Sequence, residues 1–560
     1  MKNQRRIPKH SPLALAIVAA VLVAFLALAL RHNQRRTDAM ARLAAQKSAA
    51  QPPGASGATA AQRAAASARA AASRATLAEF RARLAERLSS PNARPNEATL
   101  AFKNEDAYRR FLARADAAGL TIISSSPKLL SARVHYDSLD ALTADIAANA
   151  DDLAEVGANH TATAPPLPPL DERTTSGQVP VRDNLLAAIG LAPDADNSSW
   201  GRGVTIAVID TGILADATFG ADRVRALDIG HGTAAALDAG ADNAHGTAVA
   251  SIIAGALADA LGIAPEANLL SIRATDDTGT SDMFTIASAI IAAADNGAQI
   301  INISLGGYGG SIVLTRAIDY AMQNGAVVVA AAGNDQSTQL VWPAANPRVI
   351  SVGATDAAQQ LMLFSNAGWQ LQITAPGYAI QAAWGDGQRA PFTGTSASTP
   401  VVSGAIAAYM SLNPGMSAQD AWAAIQSRAD DAGAQGRDPD YGAGVVDLGW
   451  ALDTDPARVD MAIAGHVYDA LANTIDVVVQ NRGAAGMAGA TLNVNAGGER
   501  FSYELPWLDP GASATVKIPV TADANGQMLL RTTLVNPGGS PADKTPANNT
   551  RTSVITLPKK

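Results

Sequence analysis

The sequence predicts an α/β protein whose largest domain, residues 182–455, is built on a doubly wound parallel sheet. Runs that are continuously apolar and rich in β-branched residues recur through this domain, and stretches with helical spacing of apolar residues separate them. Such strands are typical of a parallel sheet that helices cover on both faces. The predicted strands are "VTIAVID", "NLLSIRA", "AQIINISL", "AVVVAAAG" and "RVISVGAT".

A small α+β unit, residues 76–160, is predicted ahead of the sheet domain. Strand-like runs "ATLAF", "LTIISSS", "LLSARVHY" and "LAEVGAN" alternate with two helical patterns, the first of which stops at Gly119 and the second of which has Ser138 as its cap. The order β-α-β-β-α-β is ferredoxin-like. Residues 161–181 then form a Pro-rich segment, which we expect to be extended, exposed and open to cleavage.

The C-terminal region, residues 458–557, has a different pattern. The runs "IDVVVQNRG", "ATLNVNA", "ATVKIPV" and "LLRTTLVN" alternate apolar and polar residues between Gly, Asn and Pro turns. This predicts an all-β sandwich of about 100 residues.

The N-terminus predicts export. Basic residues precede an uncharged apolar run at residues 11–30, which is long enough for a membrane-spanning helix. We interpret residues 1–36 as a signal anchor with basic flanks. A cleaved signal peptide is the alternative, with a cleavage site at Ala27-Leu28-Ala29. The body would face the periplasm or exterior in the first case and be secreted in the second, and the Ala-rich residues 37–75 read as a tether.

Bulk composition excludes several function classes. The chain has no cysteine, which rules out disulfides, thiol catalysis and thiolate metal sites. Its formal net charge is −8 although residues 1–75 are strongly basic, so the body is acidic. An acidic body argues against a nucleic-acid partner.

Two polar residues stand at positions where a doubly wound sheet gathers its chemistry. Asp210 ends the strand "VTIAVID", at the C-terminal edge of the sheet. His245 opens the apolar helix "HGTAVASIIAGAL", where a nearby carboxylate can hold its ring in one tautomer. The motif "DTG" also occurs in aspartic proteases, but these need a second such carboxylate at a strand end, and the other "DTG", at Asp277, stands three residues beyond the end of the run "NLLSIRA".

The triplet His-Gly-Thr occurs twice, at His231 and at His245. The residues after His231, "AAALDAGAD", are acidic and broken by glycine, which indicates a surface loop. His245 alone precedes a helix with an apolar face. We therefore expect His245 to have the chemical role and His231 to be a solvated loop residue.

A hydroxyl and an amide complete the constellation. Ser396 lies in "GTSASTPVVSGAIAAYM", which predicts a serine at a helix N-terminus, where the dipole favours developing negative charge. Asn334 follows the strand "AVVVAAAG" and can donate to a tetrahedral oxyanion. Taken alone, Ser396 would read as a helix cap and Asn334 as a turn residue.

These motifs resemble those of the subtilisin-like serine proteases. The resemblance extends over about 270 residues and includes "VIDTGI", "HGTAVASIIAG", "INISLGG", "VVVAAAGN" and "GTSASTPVVSGAIAAYM" in the family's order. It implies that Asp210 orients, His245 is the general base, Ser396 is the nucleophile and Asn334 is an oxyanion donor. It also implies a substrate-binding wall formed by Ser304, Leu305, Gly306, Ala331, Ala332 and Gly333.

The resemblance extends to the flanking regions and the partners. Residues 76–160 would be a propeptide that assists folding and blocks the cleft, and "TGTSDM", residues 278–283, would be the edge strand that pairs with substrate. Residues 458–557 resemble CARDB or fibronectin type III-like modules, for which we expect a protein or surface as partner.

The sequence departs from the family at a few positions. Ala397 follows the nucleophile where methionine is usual, and Ala248 replaces a common second histidine. The loop "AGALADALGIAP" is short and offers only Asp259 as a cation ligand. The expected chemistry needs no metal or cofactor, and calcium is not supported at this loop, although it stays open elsewhere.

The sequence therefore predicts an exported serine endopeptidase that cleaves polypeptides by an Asp-His-Ser acyl-enzyme mechanism and is made as a zymogen. The alternative is a catalytically silent scaffold of the same fold that acts through its C-terminal sandwich. A third possibility is an enzyme that cleaves only itself.

Overall fold

The computed structural model describes residues 76–165, 178–192, 195–220, 222–227, 229, 244–469, 472–520 and 527–556. The described chain forms two compact units. The first consists of residues 76–90 and 95–157, and the second of residues 91–94 and those from 158 onward. The predicted anchor, the tether and most of the Pro-rich segment lie outside the described residues. Within the described ranges, no helix has both the length and the apolar character needed to cross a bilayer.

The first unit has the predicted β-α-β-β-α-β order. A helix at residues 76–88 (α1), which was not predicted, precedes it. The other elements are β1 (Ala93–Phe102), α2 (Glu105–Arg114), β2 (Leu120–Ser126), β3 (Ser131–Tyr136), α3 (Leu139–Ala148) and β4 (Leu153–Thr163). The sheet order β4-β1-β3-β2, with β3 antiparallel to both neighbours, confirms the ferredoxin-like arrangement.

Local signals explain where these elements begin and end. The Asn104 side chain caps α2 by accepting the Ala107 N–H at 2.9 Å. Gly119, left-handed at φ 71°, closes the short 3-10 turn that follows the helix, as predicted. Ser138 does stand at the N-terminus of α3, but its side chain makes no capping bond.

The second unit contains the large parallel sheet. Up to residue 455 its elements are α4 (Leu185–Ala188), β5 (Thr205–Asp210), β6 (Val224–Leu227), α5 (His245–Ala254), β7 (Ala256–Leu257), β8 (Ala260–Leu261), β9 (Asn268–Arg273), β10 (Thr280–Asp282), α6 (Met283–Asp295), β11 (Ile300–Ile303), α7 (Ile312–Gln323), β12 (Val327–Ala331), β13 (Ile350–Thr355), β14 (Ile373–Pro376), β15 (Ile380–Ala383), β16 (Arg389–Phe392), α8 (Thr395–Leu412), α9 (Ala418–Gln426) and α10 (Leu448–Leu452).

Seven parallel strands form this sheet in the order β14-β13-β12-β11-β5-β9-β6. The five predicted strands are β5, β9, β11, β12 and β13, and the doubly wound fold class is confirmed. The chain winds to one side of β5 first and then returns to the other side through β11. The carboxyl ends of β5 and β11 therefore meet at the switch point of the sheet, where such folds place their sites.

Two helices that are almost wholly buried bring residues to this edge. Every residue of α5 is buried, as are nearly all residues of α8. Both pack into the main apolar core, which includes Ile252 and Ile253 from α5 and Val401 and Ile406 from α8. Because such packing fixes a helix rigidly, polar side chains at the first turns are held in place by the core.

The C-terminal residues form the predicted sandwich. Its strands are β17 (Met461–Asp469), β18 (Thr474–Asn481), β19 (Thr491–Ala496), β20 (Glu499–Glu504), β21 (Ser513–Pro519), β22 (Gln527–Val535) and β23 (Thr550–Thr556). They make two antiparallel sheets, β17-β18-β21 and β20-β19-β22-β23, around one apolar core. The alternating patterns marked β18, β19, β21 and β22, whereas β17, β20 and β23 were not predicted.

Candidate active site

Asp210 and His245 form the centre of the site. The Nδ1 atom of His245, the first residue of α5, lies 2.8 Å from Oδ1 of Asp210, the last residue of β5. Both side chains are buried, and the same Oδ1 accepts the Thr211 N–H at 2.7 Å. Because a carboxylate only accepts, Nδ1 carries the hydrogen and Nε2 is left as the basic nitrogen.

The motif residues around this pair allow the helix to start against the strand end. The Gly246 N–H donates to Thr211 Oγ1 at 3.0 Å, which ties the first turn of α5 to the loop after β5. A Cβ atom at Gly246 would lie 2.3 Å from the Gly212 carbonyl oxygen, so this approach requires glycine. Gly246 thus allows His245 to come within hydrogen-bonding distance of Asp210.

Ser396 lies in the first turn of α8, as predicted. Its Oγ donates to the Ser304 carbonyl oxygen at 2.9 Å, and Ser304 Oγ donates to the Ser396 carbonyl oxygen at 3.2 Å. His245 Nε2 is buried and has no hydrogen-bond partner among the described residues. The serine hydroxyl is therefore turned to Ser304 rather than to the imidazole. The hydrogen bond between a catalytic serine and its histidine often forms only with substrate in place.

Phe392 connects the histidine with the serine loop. Its ring meets the His245 ring edge-on, with centroids 5.2 Å apart and an interplanar angle of 81°. Phe392 ends β16, four residues before Ser396. The contact packs the imidazole against the chain that leads to α8.

The amide of Asn334 is oriented by Thr395. Asn334 Oδ1 accepts both the Thr395 N–H and the Thr395 hydroxyl, each at 2.9 Å. These two donors fix which end of the amide is the oxygen, so the NH₂ group is left to donate elsewhere. Gly394, at φ 136°, passes so close that a Cβ atom there would lie 3.1 Å from Nδ2. The amide NH₂ and the first-turn N–H groups of α8 are thus both near the serine.

The predicted substrate-binding residues lie after two adjacent strands. Ser304, Leu305 and Gly306 follow β11, while Ala331, Ala332 and Gly333 end and follow β12. Both stretches contact the first turn of α8. Ser304 bonds to Ser396, and the Gly333 N–H donates to Thr395 Oγ1 at 3.2 Å.

An extended segment lies along the predicted substrate-binding edge. Thr161, Ala162 and Thr163 pair antiparallel with Asp282, Ser281 and Thr280 of β10. On its other side, Thr163 forms a bridge to Gly306. The segment is therefore a central strand between β10 and the residues after β11.

The remaining predictions concern His231 and calcium. His231 lies outside the described residues. Asp259, the one candidate calcium ligand in the short loop, lies 3.3 Å from Arg389 Nε, and Arg389 also pairs with Asp216 at 3.0 Å. Across the described parts of the chain there is no group of three or more His, Asp or Glu residues able to hold a metal.

Sequence reasoning missed the residues that orient the site. Thr211 and Thr395 lie inside the motifs "DTG" and "GTS", yet only the structure gives them partners. Asn302 was also missed, and its Nδ2 donates to Ser304 Oγ at 3.1 Å. The signal was position: Thr211 and Thr395 are adjacent to predicted functional residues, and Asn302 lies two residues before Ser304.

Comparison with known proteins agrees with this geometry. Residues 201–444 match the Subtilase family (Peptidase_S8), and residues 459–553 match CARDB. Thermitase of Thermoactinomyces vulgaris is 36% identical over 244 residues, which cover 43% of this chain and 85% of that protein. Subtilisin DY of Bacillus licheniformis is 35% identical over 239 residues, which cover 42% and 86%.

A solved structure shares the fold. The epidermin leader peptide processing serine protease of Staphylococcus aureus aligns with a TM-score of 0.50 and 21% sequence identity, over 64% of this chain and 98% of that one. The class defined by the parallel sheet, the aspartate–histidine pair and the serine at a helix head is that of the serine hydrolases. The chain belongs to the subtilase family and is a serine endopeptidase with a C-terminal CARDB domain. Catalysis by subtilases needs no cofactor.

Proposed function

We propose that Asp210, His245 and Ser396 are the catalytic triad of this endopeptidase and that Asn334 is an oxyanion donor. The observation that carries the proposal is the 2.8 Å bond from His245 Nδ1 to Asp210 at the head of α5. That bond leaves Nε2 free to accept a proton. The position of Ser396 in the first turn of α8, beside the Thr395-oriented amide of Asn334, supports the other two roles.

In the proposed reaction, Ser396 Oγ leaves the Ser304 carbonyl and attacks the substrate carbonyl carbon while His245 Nε2 takes its proton. Asp210 stabilises the imidazolium, and the Asn334 NH₂ group and the Ser396 N–H bind the oxyanion. The imidazolium returns the proton to the leaving amine, and an acyl-enzyme remains. Water then attacks the acyl carbonyl carbon while His245 takes its proton. The imidazolium returns this proton to Ser396 Oγ, and the carboxylic acid product leaves.

The two histidines of the repeated triplet provide a matched test. His245→Ala should lower kcat by about 10⁶-fold because the base is lost, whereas His231→Ala should leave it nearly unchanged. Casein cleavage and fluorophosphonate labelling report activity, and Ser396→Ala is the reference for a dead nucleophile. Equal losses in the two histidine variants would contradict the assignment.

We infer that the substrate is an extended polypeptide and that the enzyme is made as a zymogen. The pairing of residues 161–163 with β10 and Gly306 supports both inferences, because main-chain pairing of this kind is how an extended peptide adds to a sheet edge. In the zymogen, residues 76–160 would be the propeptide, and the strand residues 161–163 that follow them would fill the cleft. Intact mass of the purified chain, wild type against Ser396→Ala, tests whether the propeptide is removed by the enzyme itself.

The cellular location of the enzyme is a separate proposal. The apolar residues 11–30 after a basic start support export with retention as a membrane anchor. Fractionation of cells that produce the full chain tests it, because a retained anchor keeps the protease with the membrane pellet after an alkaline wash. Release of a shortened chain into the soluble exported fraction would favour a cleaved signal peptide. We expect the CARDB domain to bind another protein or a surface.

A further inference from the structure

The strand that occupies the cleft has a fixed register. Thr163 and Gly306 exchange two backbone hydrogen bonds, 2.9 Å from the Thr163 N–H and 3.2 Å from the Gly306 N–H. One residue further on, the Ala164 N–H donates to the Gly279 carbonyl oxygen at 2.9 Å on the opposite side. The segment is therefore held from both edges up to residue 164, and its register can be continued by one residue.

In an antiparallel ladder, pairs that exchange hydrogen bonds alternate with pairs that do not. Thr163 and Gly306 are a bonded pair, so the next bonded pair places residue 165 opposite Ser304. The bond expected there would run from the N–H of residue 165 to the Ser304 carbonyl oxygen. Residue 165 is proline and has no N–H. This leaves the Ser304 oxygen open, and the hydroxyl of Ser396 donates to it at 2.9 Å.

This register puts the carbonyl of Pro165 next to the nucleophile. The sequence continues with Pro166, so the bond that follows this carbonyl is a tertiary amide. Acylation would break that bond and require His245 to deliver a proton to a nitrogen that bears the Cδ atom of a ring instead of hydrogen. Both the anchoring N–H and an accessible leaving nitrogen are therefore missing at this position.

We propose that residues 161–165 are a substrate-like inhibitor that the enzyme binds but cannot cut, because they present a Pro–Pro bond to Ser396. The residue before a proline favours extended backbone, and consecutive prolines hold the chain extended, so the segment is preorganised for the cleft. Removal of the N-terminal unit then requires a cut elsewhere in the Pro-rich segment. This inference rests on the proposed triad and names the regulation of that site.

The test compares four full-length chains: the wild type, Pro165→Ala/Pro166→Ala, Pro168→Ala/Pro169→Ala, and the first double variant with Ser396→Ala. Intact mass and N-terminal sequencing quantify cleavage between residues 165 and 166. We expect no such product from the wild type or from the 168/169 control. The 165/166 variant should form it at least about tenfold above the wild-type background, because the regained anchoring hydrogen bond alone contributes up to about that factor and the leaving nitrogen becomes accessible as well. Ser396→Ala should abolish the product.

Fluorophosphonate labelling of the same samples separates the possible failures. A wild-type chain cut between residues 165 and 166 overturns the inference and leaves the triad intact. The same holds if the 165/166 variant is labelled but not cut there. If no chain is labelled even after an added protease has cut the Pro-rich segment, the proposed triad fails and the inference fails with it. The single variant Pro166→Ala, which keeps Pro165, replaces the double variant if thermal unfolding shows that the latter does not fold.

Discussion

Two groups of buried carboxylates in the second unit differ in their surroundings. Asp210 stands alone at the end of β5, where Oδ1 accepts from Thr211 and His245, while its buried Oδ2 has no partner among the described residues. Asp430 and Asp447 lie together near the CARDB domain, where Arg482 Nη1 is 2.9 Å from Asp430 and the Trp450 N–H donates to Asp447 at 2.7 Å.

The difference shows what separates a reactive carboxylate from a structural one. Burial is common to both groups, but only Asp210 contacts a histidine whose second nitrogen is also buried without a partner in the described chain. An unpartnered carboxylate oxygen does not separate the two groups, since the buried Asp430 Oδ1 also lacks a hydrogen-bond partner among the described residues. The other group has a cation and a helix N-terminus as partners, so it serves to join the two domains.

The largest effect should come from the isolated carboxylate. Asp210→Asn keeps the shape of the side chain but favours the wrong histidine tautomer, so we expect kcat to fall by about 10⁴-fold with the fold retained. Asp447→Asn is the matched change in the other group and should leave kcat at pH 7 nearly unchanged. Casein cleavage and circular dichroism check both, and similar losses would erase the distinction between the two groups.

Removing the cation should affect stability rather than chemistry. Arg482→Ala removes the cation beside buried Asp430 and leaves the Gln359 amide as a donor to it, and we expect the free energy of unfolding to fall by about 3–5 kcal/mol. Denaturant unfolding in a Ser396→Ala background, which prevents self-digestion, measures this loss. Arg531→Ala, an exposed arginine of β22, is the control. If Arg482→Ala unfolds like the control, the ion pair does not stabilise the junction.

We expect the loss of the neutral Asn334 side chain to lower kcat less than the change at the charged Asp210. Asn334→Ala removes one oxyanion donor, and we expect kcat to fall by about 10²–10³-fold with little change in KM. Thr395→Val, which removes one of the two bonds to Asn334 Oδ1, should cause a smaller loss of the same kind. Steady-state kinetics on a peptide substrate distinguish these outcomes, and a purely raised KM would assign Asn334 to substrate binding instead.

A further effect concerns pH. Burial, together with the neighbouring Asp430 charge, raises the pKa of Asp447 to about 8 from 3.8. The folded chain therefore keeps a proton that the unfolded chain has lost, and this stabilisation, full below about pH 4, disappears as pH rises to about 8. Asp447→Asn, again with Ser396→Ala, should flatten the decline of Tm between pH 5 and pH 8.

Part of that decline should persist in the Asp447→Asn chain. Burial also raises the pKa of Asp438, to about 6, and this group titrates within the same range. Glu499→Gln, an exposed change, should leave the wild-type profile as it is. An unchanged profile for Asp447→Asn would mean that this carboxyl does not hold a proton at neutral pH.

The sequence was most informative where one short motif contains both a functional residue and the end of the strand or helix that holds it. Asp210, His245, Ser396 and Asn334 each stand at the end of a strand or the head of a helix, which the apolar patterns locate well. The register of Thr163 opposite Gly306 could not be predicted, because it depends on pairing between residues more than 100 positions apart. The Asp430–Arg482 pair was hidden for the same reason, since its members belong to different domains. The strands β17, β20 and β23 were missed because their patterns are short or irregular.

Because of the Asp430–Arg482 pair, the CARDB domain contributes to the structure of the protease domain and cannot be removed without effect on it. A chain shortened to end at residue 455 would keep Asp430 in the protease and lose the guanidinium beside it. The shortened chain would also lose Gln480. The side chain of Gln480 accepts the Asp431 N–H at 3.0 Å and donates to the Ala429 carbonyl oxygen at 3.2 Å. A heterologous partner fused in place of the domain would have to supply an arginine and an amide at these positions, so swapping this module between proteases is constrained by the core it completes.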